Sequence, residues 1–208
     1  MARATTARTA TKTVANTANR ILDAALIAFG TRGFEATSLD ALAGELGVTK
    51  QAVLYWFPSK VALLEAVIER SAAELRWALE SALTRSRPGI ERFDAVMRTV
   101  FRFAVRRPEL LGLVREAGRL GPDVAADIGD RLAPLVDRAV GFLEAEMANG
   151  TIRRANARFT LLFLYATVVG VATEGEAVRA VGLRPGPATL ARMRRELFAY
   201  VRAALGLV

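Results

Sequence analysis

The sequence predicts an all-α chain of about nine helices, three short and then six mostly longer, and three observations predict it. Apolar residues recur at three- and four-residue intervals along nearly the whole chain, the spacing of one helix face. No stretch alternates apolar and polar residues long enough to form a strand. Gly and Pro cluster at Arg87-Pro88-Gly89, Arg107-Pro108, Gly121-Pro122, Asn149-Gly150 and Leu183 to Pro187, separating the periodic runs.

The elements follow in order. Ile21, Ala25, Ala28 and Phe29 form the face of a first helix that ends at Arg32-Gly33, a cationic last turn and a glycine C-cap. Ser38 caps a second helix, with Asp40 in its first turn and Leu39, Leu42, Ala43 and Leu46 on its apolar face. Gly47 ends it. Thr49 caps a third helix holding Val53, Leu54 and Phe57, and Pro58-Ser59 stops that helix and opens a fourth, to about Leu83. The breaks then leave helices near 90–106, 109–119, 122–148, 155–180 and 188–205.

Composition narrows the function classes. The chain has 208 residues, 52% of them hydrophobic, so it can bury a sizeable core. It contains neither Cys nor His, which excludes thiolate nucleophiles, thiolate and imidazole metal sites and His-dependent triads. The carboxylate pairs Glu144/Glu146 and Glu174/Glu176 are two residues apart and do not share a helix face. No enzyme activity, metal or cofactor is expected. The formal charge of +8, from 29 basic and 21 acidic residues, favours a polyanionic partner, nucleic acid before an anionic membrane. Arg3, Arg8, Lys12 and Arg20 precede the first acidic residue, so residues 1–18 read as a flexible basic arm. The longest uncharged run, Phe159 to Thr173, has 15 residues, where a membrane span needs about 20. A soluble cytoplasmic protein is expected.

Ser38 to Phe57 has the spacing of a helix-turn-helix. Ala43 is small where two helices cross, Gly47 supplies a positive φ at the turn, and Val48 and Val53 pin the second helix to the first. A helix about 10 Å across enters the major groove and offers its N-terminal side chains to base edges. Gly33-Phe34, Thr37-Ser38, Leu42-Ala43, Gly47-Val48-Thr49 and Tyr55-Trp56-Phe57-Pro58-Ser59-Lys60 together resemble the TetR/AcrR family of bacterial transcriptional regulators, over Asn19 to Ile68. Lys50 and Gln51 stand where relatives often carry a small residue, and Trp56 where His, Arg or Tyr is common. These departures bear on the target sequence.

The resemblance implies a DNA-binding domain at 19–66 and an effector-binding and dimerisation domain at 67–208. The residues expected at DNA are Thr37, Ser38, Thr49, Lys50, Gln51, Tyr55, Trp56 and Lys60. Gln51 suits adenine and Lys50 suits guanine, while Thr37, Thr49, Tyr55 and Lys60 suit phosphates. Large apolar residues Trp77, Met97, Phe101, Phe142 and Phe163, with Arg115, are candidates for an effector cavity. Ala166 and Gly170 on one helix and Leu190, Met193, Leu197 and Val201 on the last are candidates for a homodimer seam. The expected function is a repressor that binds a palindromic operator in double-stranded DNA and is released by a small, largely apolar effector. A non-specific architectural DNA binder and a helical small-molecule-binding protein are the alternatives.

Overall fold

The computed structural model describes residues 2–117, 120–173 and 175–207, without the side chains of 2–16, 111, 114–117, 169, 172, 173 and 175–177. Among the described residues there are ten helices and no strand. In chain order they are α1 (Ala2–Arg32), α2 (Leu39–Leu46), α3 (Lys50–Trp56), α4 (Lys60–Arg85), α5 (Ile90–Arg106), α6 (Pro108–Ala117), α7 (Pro122–Ala148), α8 (Ala157–Thr173), α9 (Gly175–Ala180) and α10 (Pro187–Leu205). The stretch expected as one helix over 155–180 is helical on both sides of Glu174, as α8 and α9, and Glu174 itself lies outside the described residues.

The helices form two units, residues 1–71 with 112–131 and residues 72–111 with 132–208. In the first, the apolar face expected for α1 is buried, with Ile21, Ala25 and Phe29 at 1% exposure or less. Leu42 and Ala43 of α2, Val53 of α3, and Leu63, Leu64, Val67 and Ile68 of α4 complete this core. Arg20 of α1 donates to the Leu46 carbonyl at the end of α2 at 3.1 Å. Arg32 forms a double hydrogen bond with Glu45, the second contact being 3.3 Å. The hydrogen bond from Arg32 holds the Glu45 carboxyl below the ordinary carboxylate range. Arg131 of α7 reaches Glu65 at 2.6 Å and Glu69 at 3.0 Å.

The turn between α2 and α3 depends on Gly47, whose φ is 66°. Its N–H and that of Val48 close the end of α2, Val48 N–H donating to the Ala43 carbonyl at 3.0 Å. A β-branched side chain strains a left-handed backbone by about 1–3 kcal/mol. Gly47→Val should lose that much stability in urea unfolding and loosen the angle between α2 and α3; a variant as stable as the parent would contradict this.

The second unit has its own core, with Phe93, Met97, Phe101 and Ala104 of α5, Leu143 and Met147 of α7, Val168 of α8 and Leu197, Val201 and Leu205 of α10. Helix α5 packs on α8, and α8 on α10. Phe93 stacks on Phe142 with ring centroids 6.5 Å apart, and Phe101 meets Phe198 edge-on at 6.2 Å. Asp94, buried on α5, accepts two hydrogen bonds from Arg202 of α10, and this contact raises the Arg202 pKa.

This core corrects part of the dimer seam expected from sequence. Leu197 and Val201 are buried within their own chain at 5% and 3% exposure, so their stripe is an intramolecular core seam. Leu190 packs half-buried against the same core, and Met193 and Gly170 are half-buried. Ala166 is exposed, beside Phe159, Leu162 and Phe163 on one face of α8.

Candidate nucleic-acid interface

Helix α3 is presented by caps on both sides of the turn. The Ser38 hydroxyl accepts from Ala41 N–H at 3.1 Å, and the Thr49 hydroxyl accepts from Ala52 N–H at 3.1 Å. Buried Val53 anchors the inner face of α3. Lys50, Gln51 and Tyr55 are exposed, and Gln51 and Tyr55 stand one turn apart on the same side. Tyr55 is 81% exposed, its ring edge-on to half-buried Trp56 with centroids 5.3 Å apart. Lys50, Gln51 and Tyr55 are thus all exposed on α3, Gln51 and Tyr55 on one side of it, with Ser38 and Thr49 exposed as capping residues.

Two expected phosphate contacts are placed differently. Thr37 is 2% exposed; its hydroxyl donates to the Gly33 carbonyl at 2.8 Å and its N–H to the Phe34 carbonyl at 3.2 Å. Both groups are thus used to fold the loop after α1. Lys60 donates to the Glu35 carbonyl at 3.3 Å and lies 4.3 Å from the centre of the Phe34 ring. Its charge serves that loop first. Ser59 caps α4, accepting from Ala62 N–H at 2.9 Å.

Lys50 has a partner that sequence reasoning missed, Asp40 of α2, at 2.8 Å. Opposite charges ten residues apart across a helix-turn-helix were the available signal. The contact is exposed, so it orients Lys50 at little energetic cost to release. Arg20, just after the basic arm, turns inward to α2, and the basic side chains of the arm itself, Arg3, Arg8 and Lys12, lie outside the described residues.

Residues 21–67 match the model of bacterial regulatory proteins of the tetR family, over the same α1 to α4 that carry this interface. Over these residues the chain is similar to the TetR family of bacterial regulatory proteins. Nucleoid occlusion factor SlmA of Haemophilus influenzae is 27% identical over 118 residues, 57% of this chain and 51% of that protein. The chain thus spans about half the length of the curated relatives it matches. A regulatory protein of the tetR family from Rhodococcus RHA1 shares the fold with a TM-score of 0.69 at 21% identity, covering 92% of this chain and 96% of that one. FadR from Bacillus subtilis, solved in complex with stearoyl-CoA, shares it with a TM-score of 0.73 at 15% identity, covering 88% and 96%.

The candidate effector residues separate by exposure. Met97 and Phe101 are buried and Phe142 half-buried in the core of the second unit. Trp77 and Phe163 are 73% and 65% exposed, so neither lines an interior cavity, and the Arg115 side chain lies outside the described residues. Glu144 is exposed and Glu146 buried, on different sides of α7 as their spacing requires; Glu174 and the Glu176 side chain lie outside the described residues. Among the described residues no acidic cluster could hold a metal ion, and no helix is long and apolar enough to cross a membrane. An open cleft of about 460 Å³ lies between α8 and α10, lined by Thr167, Val171, Met193, Glu196 and Tyr200 among others.

Proposed function

We propose that this chain is a TetR-family regulator, a cytoplasmic repressor that binds a palindromic operator as a homodimer, with α3 of each subunit in the major groove. The observation that carries the reading is the exposure of Lys50, Gln51 and Tyr55 on a short helix anchored on its inner side by Val53. Gln51 hydrogen-bonds adenine, Lys50 leaves Asp40 to reach guanine O6 or N7, and Tyr55 and Thr49 contact phosphates. One recognition helix reads only a half-site, so a dimer and an inverted repeat go together.

The apolar face of α8 supports the dimer. Phe159, Leu162 and Phe163 are 61%, 55% and 65% exposed, and with Ala166 they follow helical spacing. Tyr200 of α10 is 65% exposed beside the α8–α10 cleft. A monomer would leave this face in water; the corresponding face of a second copy would cover it.

The effector we assign is a small molecule with a long apolar part, of the acyl-CoA kind, bound among core residues that include Met97, Phe101 and Phe142. What supports it is the apolar character of that core and the shared fold with FadR, whose complex contains stearoyl-CoA. Binding would favour a conformation with lower operator affinity. In vitro transcription from a promoter carrying the operator tests the whole reading. The protein should reduce transcript, and added stearoyl-CoA should restore it. Transcript that rises with protein, or that falls and stays low at every acyl-chain length tried, would contradict repression or this effector class respectively.

A further inference from the structure

The proposed function leaves one buried ionisable group without a task, Glu146 of α7. Two carboxylates are buried among the described residues, Asp94 and Glu146. Asp94 is held by Arg202. Glu146 is 2% exposed, and its Oε2 is the one buried carboxylate oxygen among the described residues with no hydrogen-bond partner. The nearest basic residues along the chain point elsewhere, Arg138 to Glu80 and Arg153 to the Ala204 carbonyl. A buried acceptor left unmet destabilises a fold in a way that an apolar residue of the same shape would not. Packing alone therefore gives no reason for a carboxylate at this position.

Glu146 lies on the core face of α7. It follows Phe142 by four residues and Leu143 by three, so the three side chains share that face, with about 6 Å between successive positions. Phe142 in turn stacks on Phe93 of α5. The backbone beneath the carboxyl is fixed, because the N–H groups of Thr151 and Ile152 both donate to the Glu146 carbonyl, at 2.9 and 3.3 Å. A polar group on a rigid element, one turn from an aromatic stack, suits the recognition of a ligand's single polar atom. Met97 and Met147 of the same core are unbranched, so they repack around an inserted chain more readily than Leu or Ile.

We infer that Glu146 is the polar anchor of the effector site and accepts a hydrogen bond from a nitrogen-borne donor on an otherwise apolar chain. The inference rests on the effector reading above and narrows it. A carboxylate accepts hydrogen bonds and repels a second anion, so the headgroup of a free fatty acid is unsuited to it. Two kinds of molecule carry the required N–H on an apolar chain, the pantetheine amides of an acyl-CoA and the ammonium of an aliphatic amine.

The test measures binding of dodecanoyl-CoA, dodecylamine and dodecanoate, each below its micelle concentration, to the full chain and to Glu146→Leu and Glu146→Gln. The parent should bind at least one nitrogen-bearing probe, and more tightly than dodecanoate. Glu146→Leu should weaken that probe by about tenfold or more, the worth of a hydrogen bond to a charged group. It should also unfold in urea no earlier than the parent, because it removes an unmet acceptor and no bond. Glu146→Gln keeps an acceptor without the charge and separates the two sources: an amide donor tolerates it, whereas an ammonium loses as much as it does with Leu. A parent that binds neither nitrogen-bearing probe, or binds dodecanoate as tightly, overturns the inference. So does a folded Leu variant that binds as the parent does. Should the branch of Leu not fit, Glu146→Met carries the same comparison, and a chain that folds with neither gives the carboxylate to the fold and overturns the inference. Failure of the acyl-CoA reading is distinguishable. Dodecylamine bound through Glu146, with no binding of dodecanoyl-CoA, contradicts that reading and supports this one; dodecanoyl-CoA bound equally by parent and Leu variant does the reverse.

Discussion

Replacing Lys50 and Gln51 together by alanine is expected to erase the difference between operator and random duplex. Each side chain that reads a base edge discriminates by about 1–3 kcal/mol, a factor of about five to 150 at each position. The two are neighbours on the first turn of α3, so their effects need not add. Both are exposed and neither belongs to the core, so unfolding transitions should stay where they are. The Lys50 change has a second consequence. It leaves the Asp40 carboxylate, 2.8 Å from the missing ammonium, facing DNA without a counter-charge. Combining Lys50→Ala with Asp40→Asn should therefore recover part of the general affinity while leaving the lost preference lost. Competition binding with operator and scrambled duplexes reads both quantities. Full preference in the double alanine variant would move base recognition away from α3.

Placing aspartate at Leu162 and Phe163 is expected to separate the subunits. Both side chains stand on the exposed face of α8, and neither contributes to the buried core of the second unit. Truncating a central apolar residue of an interface commonly costs 2 kcal/mol or more, and two like charges facing their copies add repulsion. A loss of roughly 4 kcal/mol raises the dimer dissociation constant about a thousandfold. Sedimentation velocity at micromolar concentration should show a monomer, and operator binding should weaken because only one half-site is then held at a time. A variant that sediments as the parent does, whatever the parent's state, would show that this face is not the contact between copies.

The helix-turn-helix was legible in the sequence because each of its signals is local. Ser38, Thr49 and Ser59 act within three residues of themselves, and Gly47 is required by the φ of its own position. The loop after α1 was less legible. Thr37 resembles a phosphate ligand in its motif, yet its hydroxyl is spent on Gly33, a partner that only the folded turn brings near. Lys60 is diverted in the same way by Phe34 and Glu35. On α10 the periodicity identified a buried stripe, but periodicity cannot say which chain does the burying. Leu197 and Val201 are covered by α5 and α8 of their own unit, while the apolar residues left in water, Phe159, Leu162 and Phe163, lie in a run apolar on every side, where no face stands out.

Sequence-specific reading by two symmetry-related α3 helices is tested most directly by selecting bound molecules from a pool of random duplexes at near-physiological salt and sequencing them. An enriched inverted repeat is predicted, with half-sites about one helical turn apart, about 34–36 Å, or a multiple of it. Its half-sites should lose their enrichment when the selection is repeated with Lys50→Ala/Gln51→Ala. A folded sample that enriches no sequence, or only an unrepeated site, would contradict the dimeric operator-binding reading.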